Sequence, residues 1–169
     1  ITSNFYDYYG ISKSDIQKYI NVSNSSSNNA SDINVCYRVY TNSWMTEVIN
    51  SNDYAGTEKS AIRGLAIKVN KGNLKYRVHV NGGGWLGWIT DYNINNWNTG
   101  CAGVRTRDID AIQIDYNGGQ DYKVRYRVST IDSNNYLNWI SGFNTVDSMD
   151  YAGIFGKPID KVQIEIIKK

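Results

Sequence analysis

Apolar and polar residues alternate with a period of two in three well-separated stretches, "VCYRVY" from Val35, "LKYRVHV" from Leu74 and "VRYRVST" from Val124. Val35, Tyr37 and Val39 fall on one side, as do Leu74, Tyr76 and Val78, and Val124, Tyr126 and Val128, while Arg38, Arg77 and Arg127 fall on the other. That is the pattern of a half-buried strand. A second set of strands follows in "IRGLAIKV" from Ile62, "IDAIQIDY" from Ile109 and "IDKVQIEI" from Ile159. There Leu65, Ile67 and Val69 match Ile112 and Ile114, and match Val162, Ile164 and Ile166, with Lys68, Asp115 and Glu165 turned outward. Between each opening and closing strand lies an Ala-Gly pair, and Ala55, Ala102 and Ala152 recur 47 and 50 residues apart.

The stretches therefore describe one unit used three times, over about 34–70, 71–118 and 119–169. One such unit would leave its apolar face in water, so the three must close on a shared core. The predicted fold is all-β, three repeats with pseudo-threefold symmetry, arranged as a β-prism. A β-trefoil is the alternative, and periodicity does not separate the two. The prism is preferred because each unit offers a hairpin plus one long closing strand, and the Ala-Gly segment is too short for a further hairpin.

Ahead of the repeats, Ile16 and Ile20 stand four apart behind Ser12 and Ser14, which predicts a short capped helix within 1–22. Residues 23–33 are Ser- and Asn-rich and read as a linker, so 1–22 reads as the tail of an upstream domain.

Composition narrows the function. The 169 residues carry a net charge of +2, and no Lys/Arg stripe is interleaved with aromatics, which argues against nucleic acid as partner. No apolar run reaches the length of a membrane span, so no membrane partner is expected. Cys36 and Cys101 are too few for a disulfide scaffold and lack zinc spacing, although one disulfide between them stays open. The 14 Tyr and 5 Trp instead fit a turn-rich β-domain that binds something on its surface.

The middle unit, "KYRVHVNGGGWLGWITDYN…AGV…IDAIQI", resembles the clostridial hydrophobic repeat with conserved tryptophan known as ChW. The matching residues are Tyr76, His79, Val80, Gly84, Trp85, Trp88, Asp110, Ala111, Ile112 and Ile114. The neighbours match more loosely: Tyr40 and Ser129 stand at the His79 position and Glu47 at the Trp88 position, while Tyr136 and Trp139 keep the aromatic pair. "DYAGIFGKPIDKVQI" from Asp150 also looks like the wall-attachment modules of clostridial and phage peptidoglycan hydrolases. The resemblance implies a non-catalytic cell-wall-binding module, extracellular and wall-associated, covalently linked to an upstream amidase or muramidase. Its partner would be peptidoglycan or a secondary wall polysaccharide. An extracellular lectin or adhesion module for other glycans is the alternative.

Chemistry in the chain itself points the same way. A cysteine–histidine hydrolase would need His79 beside Cys36 or Cys101, and no third group converges on them. No catalytic residue is assigned, and His79 reads as a strand residue bonded to a neighbour. No calcium-loop spacing occurs, so no metal or cofactor is expected, and Asp53, Asp108, Asp110, Asp115 and Asp150 read as turn and loop caps.

The candidate ligand contacts are aromatics with acidic neighbours, since sugar rings stack on indole and phenol faces while carboxylates select hydroxyls. They are Trp44, Asp53, Tyr54, Trp85, Trp88, Asp91, Tyr92, Trp97, Tyr136, Trp139, Asp150 and Tyr151. Trp85 and Trp88, three apart, should face opposite ways on a regular strand, leaving one in the core and Trp85 the more exposed.

Overall fold

The computed structural model describes residues 32–142 and 150–169; the expected N-terminal helix and nearly all of the linker lie outside these. Among the described residues the chain is all-β, built from three antiparallel sheets.

The alternating stretches form the long strands. β1 (Val35–Tyr40) is followed by the short β2 (Val48–Ile49), a 3₁₀ turn at Asn50–Asn52 and β3 (Ala55–Gly56), then by β4 (Gly64–Val69). The middle stretch gives β5 (Asn73–Val80), β6 (Ala102–Gly103) and β7 (Ile109–Asn117). The last gives β8 (Tyr122–Thr130), β9 (Ile140–Ser141), β10 (Ala152–Gly153) and β11 (Ile159–Lys168). Opening and closing strands pair as hairpins, with Tyr37 opposite Ile67, Tyr76 opposite Ile114 and Tyr126 opposite Ile164.

The two-residue Ala-Gly strands do something that local pattern does not announce. Each leaves its own hairpin and pairs with a different closing strand: β3 with β11, β6 with β4 and β10 with β7. The exchange closes in a ring, because β3 of the first unit pairs with β11 of the third.

Glycine is required in that exchange. Gly56, Gly103 and Gly153 hold φ of +113°, +130° and +132°, and a Cβ on them would lie 2.0, 2.1 and 2.1 Å from the carbonyl oxygens of Asp160, Arg63 and Asp110. Only a residue without a side chain combines that φ with that approach.

A buried tyrosine pins each junction. Tyr37, Tyr76 and Tyr126 have no solvent exposure. The Tyr37 hydroxyl donates to Asn50 O at 2.7 Å and accepts from the Ile164 N–H at 3.2 Å. The Tyr76 hydroxyl donates to Asp91 O at 2.8 Å and bonds the Ile67 amide; Tyr126 lies 3.2 Å from Gly142 O and bonds the Ile114 amide. Every one of these amides belongs to a closing strand other than the tyrosine's own hairpin partner. One phenol thus ties a hairpin, its return loop and a neighbouring sheet, and burial pushes all three phenols well above the ordinary tyrosine value.

The valines, leucines and isoleucines of the predicted inward faces gather around these tyrosines in one core drawn from all three hairpins. Arg38, Arg77 and Arg127 stay on the outer faces, partly exposed.

Candidate functional site

Each hairpin returns against its opening strand with one residue too many. Tyr40 pairs with Trp44 and Tyr37 with Val48, so four steps on the return oppose three on β1. The same count holds for His79–Trp85 with Tyr76–Ile89, and for Ser129–Tyr136 with Tyr126–Ile140. An extra residue shifts side-chain parity by one.

This corrects the expectation for Trp85 and Trp88. Both are half-buried, neither enters the core, and Ile89 fills the inward position instead. The two indoles share the outer face, each 4.7 Å from the Arg77 guanidinium that sits against both. Lys75 lies over Trp88 at 4.9 Å. Tyr136 and Trp139 repeat the arrangement about Arg127, at 4.3 and 4.4 Å, with Arg125 over Trp139 at 4.6 Å. The cations beside these rings fix them on the outer face.

At the far end of each return, the loop that carries an exchanged Ala-Gly strand arrives and completes an aromatic cluster. In the first, Tyr40, Trp44 and Trp97 meet with centroids 5.0 to 5.5 Å apart, and Arg105 covers Trp97 at 5.2 Å. Gly64 makes this possible, because a Cβ there would lie 2.7 Å from the Trp97 ring. The Trp44 indole donates to Ile94 O at 3.0 Å, whereas the buried Trp97 Nε1 has no partner among the described residues. Beside Trp97 opens a shallow cavity of about 290 Å³ that reaches Asn98, Val104 and Arg105.

In the second cluster Phe155 stacks on His79 at 4.0 Å and on Tyr151 at 4.8 Å, with Trp85 edge-on to His79 at 5.3 Å. His79 Nδ1 lies 2.6 Å from Asp110 Oδ1, so the histidine is bonded to a neighbour as expected. The fully buried Asp110 also accepts from the Gly156 N–H at 2.8 Å. In the third, Lys161 lies over Tyr54 and Tyr136 at 5.5 and 5.2 Å. Asp160 accepts from Ser129 and from the Lys59 N–H at 2.8 Å. The equivalent contact in the first cluster reverses polarity: Arg63 donates to Asp108 at 3.1 Å. Asp110 and Asp160 are thus loop caps, but each caps a loop from elsewhere in the chain.

The structure accordingly brings Trp44 to Trp97, Trp85 to Tyr151 and Tyr54 to Tyr136 through Lys161. It holds Trp88 and Trp139 one step along on the same outer faces. Asp53 and Asp150 act through their carbonyls, which accept from Gln163 at 3.3 Å and from Gln113 at 3.3 Å. The Asp53 carboxylate caps the Tyr54 N–H, and the Asp91 carboxylate caps the Tyr92 N–H. Asp91 and Tyr92 lie apart from the clusters, where the Tyr92 hydroxyl donates to Glu47 at 2.7 Å. Burial first, then this bond, push the Tyr92 phenol up to about 12.

Tyr40, Phe155, Arg105 and Lys161 were absent from the expected contacts. The signal for three of them was positional, since Glu58, Arg105 and Phe155 occupy the same place after Ala-Gly, and Gly64, Ala111 and Lys161 the same place in the closing strand. Exposed apolar side chains gather there too: Phe155 is 48% exposed and Tyr54 42%.

Cys36 and Cys101 are free, and burial raises both thiols, Cys101 to about 11, which opposes thiolate formation. Among the described residues no three His, Cys, Asp or Glu side chains converge as metal ligands do, and no helix is long and apolar enough to cross a membrane. Compared with known proteins, the chain matches no family model, no curated protein and no solved structure.

Proposed function

We propose that the chain is a non-catalytic cell-wall-binding module that holds an upstream peptidoglycan hydrolase on the clostridial wall. It would act outside the cell, on peptidoglycan or a secondary wall polymer. The observation that carries this reading is the recurrence of one kind of surface. Three times an aromatic pair or triad, flanked by an arginine or lysine, is completed by an exchanged loop, at Trp44–Trp97, Trp85–Phe155 and Tyr54–Tyr136. Sugar rings present C–H faces to aromatics and hydroxyls to cations and amides, so each cluster offers both halves of a weak saccharide site. Three weak sites on one rigid body bind a repeating polymer by avidity, which a single soluble sugar does not engage.

The same reading takes the fold as a β-prism with pseudo-threefold symmetry. Three separate sheets, each completed by a two-residue strand from another hairpin, favour this over a trefoil, whose barrel strands pair in one continuous cycle. The test is retention on purified clostridial walls before and after secondary polymers are stripped. Retention without release of muropeptides is expected. Loss of retention on both preparations, with tight binding to host-type glycans on an array, would replace it with the lectin reading.

A further inference from the structure

A cavity of about 610 Å³ lies away from the aromatic clusters, between the end of β4 and the start of β5. Its existence follows from two strand edges that lose their neighbours. β6 pairs with β4 only at Gly64 and Leu65, so among the described residues no strand lies beside the edge beyond Ile67. On β5 the return pairs at Tyr76 with Ile89 and then turns away through Thr90. The corresponding places on the other opening strands are covered. The Val35 N–H donates to Asn50 Oδ1 at 2.9 Å, and Val124 O accepts from the Gly142 N–H at 3.0 Å. Among the described residues Leu74 has no return strand against it, and the alternation that turns the Tyr76 N–H toward Ile89 turns the Leu74 main chain toward the cavity.

The walls carry charge of both signs above an apolar floor. Ile67, Val69 and Leu74 form the floor. Lys75 and Asp115 stand 3.8 Å apart, both partly exposed, and the exposed Asp91 lies on the same rim. Lys68 reaches Glu47 at 3.1 Å and lies 4.5 Å over the Tyr92 ring. A neutral sugar would make no use of these partly exposed charges, which a zwitterionic ligand can meet from outside their existing pairs. An extended backbone beside Leu74 would meet an open strand edge, with amines toward Asp91 and Asp115 and carboxylates toward Lys68 and Lys75.

We infer that this groove binds a short extended peptide carrying both free amino and free carboxylate groups, laid along the β5 edge. The inference rests on the wall-binding reading for the source of that peptide, the stem peptides of peptidoglycan, but the groove stands on its own geometry.

The test is calorimetric titration of the full chain with the synthetic tetrapeptide Ala-γ-D-Glu-Lys-D-Ala. Its amine-acetylated form and an N-acetylglucosamine tetramer serve as comparisons. Saturable binding to the tetrapeptide is expected, weakened about tenfold or more by acetylation, by Lys75→Ala and by Asp115→Asn, each equivalent to losing one charged contact. Urea midpoints confirm that both variants fold. Absence of saturable tetrapeptide binding, or binding indifferent to both substitutions, overturns the inference. If the chain is retained on walls yet ignores the peptide, the groove assignment alone falls. If it binds the peptide through Lys75 and Asp115 but is not retained on walls, the groove stands and the wall reading falls.

Discussion

Replacing Tyr76 by Phe removes one oxygen and tests how the three hairpins are joined. That oxygen donates to Asp91 O at 2.8 Å and receives the Ile67 amide, and the ring around it has no solvent exposure. The phenyl ring keeps its packing, so no large cavity forms and the loss is confined to polar groups. Two main-chain groups, one carbonyl and one amide, are left without their partner. Each orphaned group costs about 1–3 kcal/mol, less where water or a small shift reaches it, so a loss of about 2–4 kcal/mol is expected. With a urea slope of about 2 kcal/mol per molar, the middle of the range for small domains, the midpoint falls by about 1–2 M while the slope stays constant. Tyr37→Phe should cost a similar amount, and because Ile67 lies opposite Tyr37 and bonds Tyr76 the double variant should depart from the sum. A loss below about 0.5 kcal/mol in both single variants would refute the claim that these hydroxyls join the sheets.

Other consequences follow from the same contacts. Gly153→Ala places a Cβ 2.1 Å from Asp110 O at φ +132° and should unfold or severely destabilise the chain. Gly82→Ala, at φ +70° with nothing within 4 Å, should cost only about 1–2 kcal/mol, and thermal melts compare the two. The three core phenols ionise near pH 10 in the unfolded chain and well above it when folded. The stability they supply is therefore complete below pH 10 and falls as pH rises beyond it, by up to about 1.4 kcal/mol per pH unit for each tyrosine. Urea midpoints from pH 8 to 11 should stay level and then drop, with phenolate absorbance appearing only as the chain unfolds. Asp160→Ala leaves the Lys59 amide and the Ser129 hydroxyl unpaired and should loosen the Tyr54 loop, read as faster amide exchange at Ala55 and Gly56.

The long strands and their faces were legible because a period of two is a local property, and the core of the protein follows from it residue by residue. Tyr37, Tyr76 and Tyr126 were placed inward on that ground alone. What their hydroxyls do was not legible, since the partners Ile164, Ile67 and Ile114 lie in other hairpins. The exchange of Ala-Gly strands is equally non-local, although three glycines at the same place were its trace. Trp85 and Trp88 were misplaced because strict alternation assumes a regular strand, and one extra residue on the return reverses the parity. The loop positions of Phe155 and Arg105 went unread because their residue types differ among the three copies, and only the shared place after Ala-Gly connects them.

The most direct test of the account is a binding isotherm of the full chain on purified clostridial walls, for the native sequence and for variants that blunt one, two or three clusters. Tyr54→Ala, Phe155→Ala and Arg105→Ala each alter an exposed contributor to a different cluster. Joint action through avidity predicts a loss of about tenfold for one cluster, multiplying with each further one, and no muropeptide release at any stage. An isotherm that is unchanged in the triple variant, or a native chain that stays in the supernatant, would contradict it.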